Sequence, residues 1–259
     1  MVLNVDRPSP GVVLLTLDLP ERRNAMTDEL TAAWASTLEG LRGDRSVRCI
    51  VLTGAGKAFC SGGDLSWLRA GGASVDELRD KMLPFYRAWL TLRSLDIPSV
   101  AAVNGAAVGA GAALALSCDI RYAGAAAKFT VPFAKLGMHA GMATTYTLPE
   151  VVGMAAAREL LLTGRVVEAP EMLRLGLCSA VYDDAELLDQ VLARAAEIAA
   201  GAPVAHRLHL EALRDGGHAS FERGLQWEAL AQPVTMATQD LQEGLSAQAD
   251  KRAPVFTGR

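Results

Sequence analysis

Two glycine-rich turns hold the residues whose types and spacing suit chemistry: GAGKAFCSGGDL at 54–65 and NGAAVGAGAALAL at 104–116. Ahead of the second, a run of β-type composition from Ser99 to Val103 meets the Asn104-Gly105 pair, and small residues then lead into the apolar run Ala112 to Leu116. The pattern is that of a buried strand feeding a close-packed helix. A helix start presents unpaired backbone N–H groups and a partial positive charge, and glycines around it let a ligand oxygen approach the main chain. The stretch therefore reads as an anion or oxyanion site, with ligand-free helix-on-sheet packing as the plain alternative. A dinucleotide loop fits poorly, because Leu114 stands where GxGxxG needs its third glycine after Gly109 and Gly111. The charge-free interval between Asp96 and Asp119, with its GxxxG pair Gly105 and Gly109, matches a membrane span in length only. It is mostly Ala and Gly, contains Asn104 and follows Pro98.

Alternating strands and helices must position these turns. Val12 to Asp18 reads as a strand with Leu3 to Asp6 as its partner, and the polar turn PERRNAM follows. Thr27 caps a helix carrying Leu30, Trp34, Leu38 and Leu41 at helical spacing, which Gly43 ends. CIVLTG, 49–54, is a buried strand, and Asp64 caps a short helical stretch after the first turn. Ser74 and Glu77 have capping-box spacing ahead of the stripe Leu78, Met82, Phe85, Trp89 and Leu92. DIRYAG is a third parallel-type strand and KFTVPF a fragment of one. Strand, glycine-rich turn and helix thus occur twice in succession, which argues for an α/β architecture with ligands at the strand C-termini. Beyond Met154 the pattern is helical, at Ala155 to Leu162, Pro170 to Leu175, Ala185 to Ala200 and Ala205 to Leu213. Phe221 to Leu230 and Asp240 to Lys251 form a helical tail. Gly201-Ala202-Pro203 marks the boundary between a core at 1–200 and a C-terminal helical region at 201–259.

Composition narrows the function classes. A chain of 259 residues, 51% of them hydrophobic, can bury a large core, and its net charge of −4 leaves no basic footprint for nucleic acid. The start MVLNVDRPSP has neither a signal-peptide nor a transit-peptide pattern, so the expected location is cytoplasmic, without a membrane span. Cys49, Cys60, Cys118 and Cys178 lie far apart with no zinc-type spacing, and His206 and His209 share a helix without a carboxylate motif, so no metal is expected.

KAFCSGGDL and PSVAAVNGAAVGAGAALALSCDIRYAG resemble the two signature segments of the crotonase, or enoyl-CoA hydratase/isomerase, superfamily. PERRNAM, FAKLGM, TYTLPEVVG, LLTGRVVEAPEMLRLGL and EGLSAQADKRAPVFTGR extend the resemblance over nearly the whole chain in one order. It implies a spiral of ββα units with a helical C-terminal region that trimerises, as a homotrimer or a dimer of trimers. It also implies an acyl-CoA thioester as ligand, with coenzyme A a part of the substrate and no prosthetic group. By position, the two backbone N–H groups that hold the thioester oxygen belong to Ser61 and Ala110, where Ala110 replaces the usual glycine. CoA contacts are expected at Ala58, Gly62, Gly63, Asp64, Leu65, Gly109 and Lys251, the last matching a basic position of the family; because Leu210 stands where relatives often have lysine, Arg22 and Arg23 are expected to contribute in its place.

The resemblance also exposes departures. Hydratases of this family carry two glutamates, at positions held here by Ala113 and Phe133, and the related isomerase carboxylate position is Gly141. None of these side chains moves a proton. His139, in LGMHAGM, is the candidate base, since an imidazole with a reference pKa of about 6.5 suits proton transfer near neutrality; a structural histidine is the alternative. Ser61 as a nucleophile with His139 as base and Asp64 as orienter is a further reading, and Tyr146 and Cys60 are outside candidates. Three functions are therefore expected to compete. One is an acyl-CoA enzyme with an oxyanion hole, an isomerase, decarboxylase or thioester hydrolase rather than an efficient hydratase. The others are an acyl-CoA binding protein without turnover and an ordinary enoyl-CoA hydratase.

Overall fold

A computed structural model describes residues 2–64, 74–214, 217 and 220–259. The chain starts with an antiparallel pair, β1 (Leu3–Ser9) and β2 (Val12–Leu17), and the helix α1 (Asp28–Leu41). Three units follow in which one strand enters a large sheet and the next enters a small one. These strands are β3 (Cys49–Gly54) and β4 (Ala58–Cys60), β5 (Ser99–Val103) and β6 (Ala106–Val108), and β7 (Ile120–Gly124) and β8 (Lys128–Thr130). The helices that follow each pair are α2 (Val75–Leu90), α3 (Ala110–Ser117) and α4 (Thr144–Thr163). A two-residue strand β9 (Val167–Glu168), α5 (Ala169–Arg174) and β10 (Val181–Tyr182) complete the sheets. The large sheet runs β1-β2-β3-β5-β7-β10, parallel from β2 onward, and the small sheet runs β4-β6-β8-β9.

Period-two alternation explains how the large sheet is buried on both faces. Val13, Leu15, Leu17, Ile50, Leu52, Ala101 and Val103 point into the main core, where Trp34 and Trp89 stack at 5.0 Å. Val12, Leu14, Cys49, Val51, Val100 and Ala102 point the other way, onto Leu187, Val191, Ala195 and Ala199 of α6 (Leu187–Ala199). Those four side chains recur every fourth residue, one stripe of a helix. Thr27 caps α1 by accepting from the Leu30 N–H at 3.1 Å, and Ser74 and Glu77 close a capping box on α2.

Several sequence expectations change. A strand does not run straight into a helix at either turn: β4 and β6, three residues each, intervene, too short to show a period. KFTVPF likewise contains the full strand β8. Helix α4 begins at Thr144, and Gly153 (φ 75°, ψ 161°) divides it into two helical parts, of which the expected stretch Ala155 to Leu162 belongs to the second. The stretch expected to be capped by Asp64 lies outside the described residues, as does Leu65.

The C-terminal region comprises α7 (Pro203–Leu213), α8 (Phe221–Met236) and α9 (Gln239–Asp250). Arg214, at the end of α7, pairs with Asp119 at 2.9 Å and donates to the Arg93 and Leu95 carbonyls, tying this region to the sheet. The last residues fold back: Arg48 donates to the Phe256 carbonyl at 2.8 Å, and the buried Asp240 carboxylate accepts from the Thr257 and Gly258 N–H groups. Among the described residues no helix is long and apolar enough to cross a membrane.

Candidate active site

The two glycine-rich turns converge on one cavity of about 660 Å³, a size ordinary for small-molecule sites. Ser61, Gly62, Gly63 and Asp64 line it from the first turn, and Val108, Gly109 and Ala110 from the second. Two asparagine side chains, Asn24 buried and Asn104 half-buried, hold the turns. The Asn24 side chain, wholly buried, donates to the Ala58 carbonyl at 2.8 Å and the Ala55 carbonyl at 3.0 Å, and accepts from the Leu19 N–H at 2.9 Å. Asn104 donates to the Gly54 and Gly56 carbonyls at 2.7 and 3.0 Å and accepts from the Gly54 N–H, bolting the end of β5 to the turn after β3. Neither brace has a local signature, since the carbonyls they serve lie 31 to 50 residues away along the chain.

Backbone geometry decides which amides face the cavity. Ser61 N–H donates to the Arg23 carbonyl at 2.9 Å, so the amide assigned to the oxyanion from sequence is already engaged. A parallel bridge joins Met26 to Gly63, with Met26 N–H donating to the Gly62 carbonyl at 2.8 Å and Asp64 N–H to the Met26 carbonyl at 3.5 Å. In such a bridge the central residue turns its own N–H to the opposite side, away from Met26. Gly63 thus keeps a donor that Ser61 has lost. Ala110 is the first residue of α3 after the cap Gly109, so its N–H has no intrahelical partner. Gly62 (φ 94°) lets the turns meet: a Cβ there would lie 2.7 Å from the Val108 carbonyl oxygen and 3.3 Å from the Ala110 nitrogen.

The wall is built from α2 and the segment at 132–142. Leu78, Met82, Phe85 and Tyr86 face the cavity from α2, and Phe133, Leu136, Met138, His139, Gly141 and Met142 from the other side. The stripe read along α2 is therefore divided: Trp89 and Leu92 are core, while Leu78, Met82 and Phe85 line the site. His139 is exposed, and its Nδ1 lies 2.7 Å from the Ala140 carbonyl oxygen. In the tautomer that donates this hydrogen bond, Nε2 keeps a free lone pair.

Other candidates fall elsewhere. Ala113 is wholly buried behind the turn, whereas Phe133 lines the cavity, its ring edge 3.7 Å from where a Cβ on Gly109 would lie. The Ser61 hydroxyl donates to the Arg22 carbonyl at 3.3 Å, and Asp64 accepts from Arg22 at 2.8 Å, so neither is joined to His139. This arrangement does not make a nucleophilic triad. Cys60 is wholly buried, its thiol donates to the Asn24 carbonyl, and burial pushes its pKa up to about 12, which leaves no thiolate for chemistry. Arg22, Arg23, Ala58, Tyr146 and Lys251 do not line the cavity; Arg22 reaches it only through its pair with Asp64, the Ala58 carbonyl serves Asn24, and Lys251 sits in a left-handed turn at the end of α9. Asp28, in the first turn of α1, does line it. Among the described lining residues the carboxylates are Asp28 and Asp64, with no glutamate.

Residues 7–259 match the family model for enoyl-CoA hydratase/isomerase. A "Probable enoyl-CoA hydratase" of Mycobacterium tuberculosis H37Rv is 43% identical over 207 residues, 80% of this chain and 77% of that one. The (E)-benzylidenesuccinyl-CoA hydratase of Thauera aromatica is 36% identical over 255 residues, 96% of this chain and 97% of that one. The crystal structure of an enoyl-CoA hydratase from Bacillus anthracis superposes with a TM-score of 0.94 at 33% identity, covering 100% of both chains. The spiral of strand pairs and helices, the two turns and this agreement along the whole length lead to one conclusion: the chain belongs to the enoyl-CoA hydratase/isomerase family.

Proposed function

We propose that the chain is an acyl-CoA enzyme in which the Gly63 and Ala110 N–H groups together hold the thioester oxygen as negative charge gathers on it. The convergence of the two turns carries this reading, since the place where Gly62 has no side chain brings the first turn against the Ala110 nitrogen. Fixed main-chain donors aimed at a developing oxyanion need no reorganisation, and removing one elsewhere costs about 3–4 kcal/mol of transition-state stabilisation. CoA enters past Asp64, which lines the cavity and is paired with Arg22 outside the lining, and His139 Nε2 moves the proton at the carbon next to the thioester. The Cβ of Ala110 tightens the hole without removing its donor.

Efficient hydration needs two proton-handling groups, one for water and one for the α-carbon. With Ala113 behind the turn and Phe133 in the wall, the chain is proposed to favour isomerisation, decarboxylation or thioester hydrolysis over hydration. Ordinary enoyl-CoA hydration is the second reading, supported by the names of the relatives and by Asp28 in the cavity. A panel of acyl-CoA esters, assayed for the parent and for His139→Ala, separates the two. The expected result is weak hydration of crotonyl-CoA and, for the preferred ester, a loss of about 10²–10⁴ in turnover on removing the imidazole. Rapid crotonyl-CoA hydration that survives His139→Ala would sink the first reading and favour the second.

A further inference from the structure

Tyr86 stands apart from the other half-buried polar side chains of the cavity, Asp28, Lys81 and His139 being exposed. Thr31 accepts from the Trp89 indole and donates to the Thr27 carbonyl, Ser61 is tied to Arg22, and Asp64 is paired with Arg22. The Tyr86 hydroxyl makes no hydrogen bond among the described residues, yet it belongs to a wall of Leu78, Met82, Phe85, Phe133, Met138 and Met142. Its place is fixed by what Gly141 lacks. A Cβ built on Gly141 would collide with the phenolic oxygen and lie 2.9 Å from the ring carbon that bears it. The phenol thus fills the space that any side chain at 141 would take.

We propose that Tyr86 is a specificity residue that hydrogen-bonds an oxygen function carried on the acyl chain of the substrate. The inference rests on the acyl-CoA reading above and narrows it from acyl-CoA esters in general to oxygenated ones. A half-buried hydroxyl in an apolar wall gains most from a ligand that brings a partner, and a site built to satisfy such a group rejects the hydrocarbon analogue. Burial raises the phenol's pKa above its ordinary value, so the group is a neutral donor at physiological pH rather than a base. Tyr86 meets Gly141 in the wall of the cavity and not at the main-chain end formed by Gly63, Gly109 and Ala110, so its partner is an oxygen of the acyl chain other than the thioester oxygen.

Calorimetric titration of the full chain with hexanoyl-CoA, 5-hydroxyhexanoyl-CoA and 6-hydroxyhexanoyl-CoA tests this. The parent is expected to bind at least one hydroxy ester about tenfold more tightly than hexanoyl-CoA. Tyr86→Phe should erase that preference while leaving hexanoyl-CoA affinity within about twofold. Gly141→Ala, which displaces the phenol without deleting it, should erase it as well. A parent without preference for either hydroxy ester, or a preference that persists in Tyr86→Phe, overturns the inference while leaving the acyl-CoA reading intact. Failure of the parent to bind any of the three esters overturns that reading, and this inference with it.

Discussion

At one end of the cavity Gly62, Gly63, Gly109 and Ala110 present main chain, held by Asn24, Asn104 and the ends of two sheets. Along its wall α2 and the 132–142 segment present side chains: Leu78, Met82, Phe85, Phe133, Met138. The first surface can polarise a carbonyl whatever is attached to it, because its donors are amides whose positions follow from strand pairing. The second can discriminate between acyl groups, because its shape and its few polar atoms change with each residue type. A family that keeps the first and varies the second can run different reactions on one fold. Substitutions at the two surfaces should then fail in different ways.

The largest effect is expected at the main-chain end. Gly62→Ala must place a Cβ 2.7 Å from the Val108 carbonyl oxygen at a backbone φ of 94°, so the turns separate. Turnover of every ester should fall together, by about 10²–10³, as for loss of an oxyanion donor. Steady-state kinetics on a short and a long acyl-CoA check this. A selective loss for one ester alone would place Gly62 with the wall.

A smaller effect, on stability first, is expected at Asn24. Its side chain satisfies the Ala55 and Ala58 carbonyls and the Leu19 N–H at a site with no solvent exposure. Asn24→Ala leaves those groups unpaired and should cost about 2–3 kcal/mol, lowering Tm by about 5–10 °C. Thermal denaturation followed by circular dichroism measures it. An unchanged Tm would mean that the first turn holds its shape without this brace.

The same contrast explains what could be read from the chain alone. β2, β3, β5 and α6 announced themselves because burial on both faces writes an apolar run into five or six strand residues and burial on one face writes a stripe into the thirteen of α6. β4 and β6 are three residues long and fall inside glycine-rich stretches, where no period can develop. That two turns would present main chain was legible for the same reason that glycines are legible: close backbone approach excludes other residues. Which amides stay free of a main-chain partner was not. That depends on the bridge between Met26 and Gly63 and on the Ser61 bond to Arg23, both pairings across dozens of residues without a local signature. Tyr86, on a helix, and Gly141, in a loop, likewise meet only in three dimensions.

The smallest expected effect is at Phe133, and it bears most directly on the contrast. Its side chain is half-buried and faces the cavity, so Phe133→Ala leaves a larger pocket rather than a sealed void. The stability cost should fall well below the about 3–5 kcal/mol of a phenylalanine truncated in a closed core. Turnover should shift toward bulkier acyl groups by about tenfold, since a change of a few methylene volumes in an apolar pocket discriminates by that order. Competition between butyryl and longer esters reads the shift. Yet the ring edge also lies 3.7 Å from the space beside Gly109, so it abuts the main-chain end. Were Phe133→Ala to depress all esters equally, as expected for Gly62→Ala, the ring would be holding the second turn in place. Wall and main-chain end would then be one mechanical unit, and selectivity could not change without cost to carbonyl polarisation.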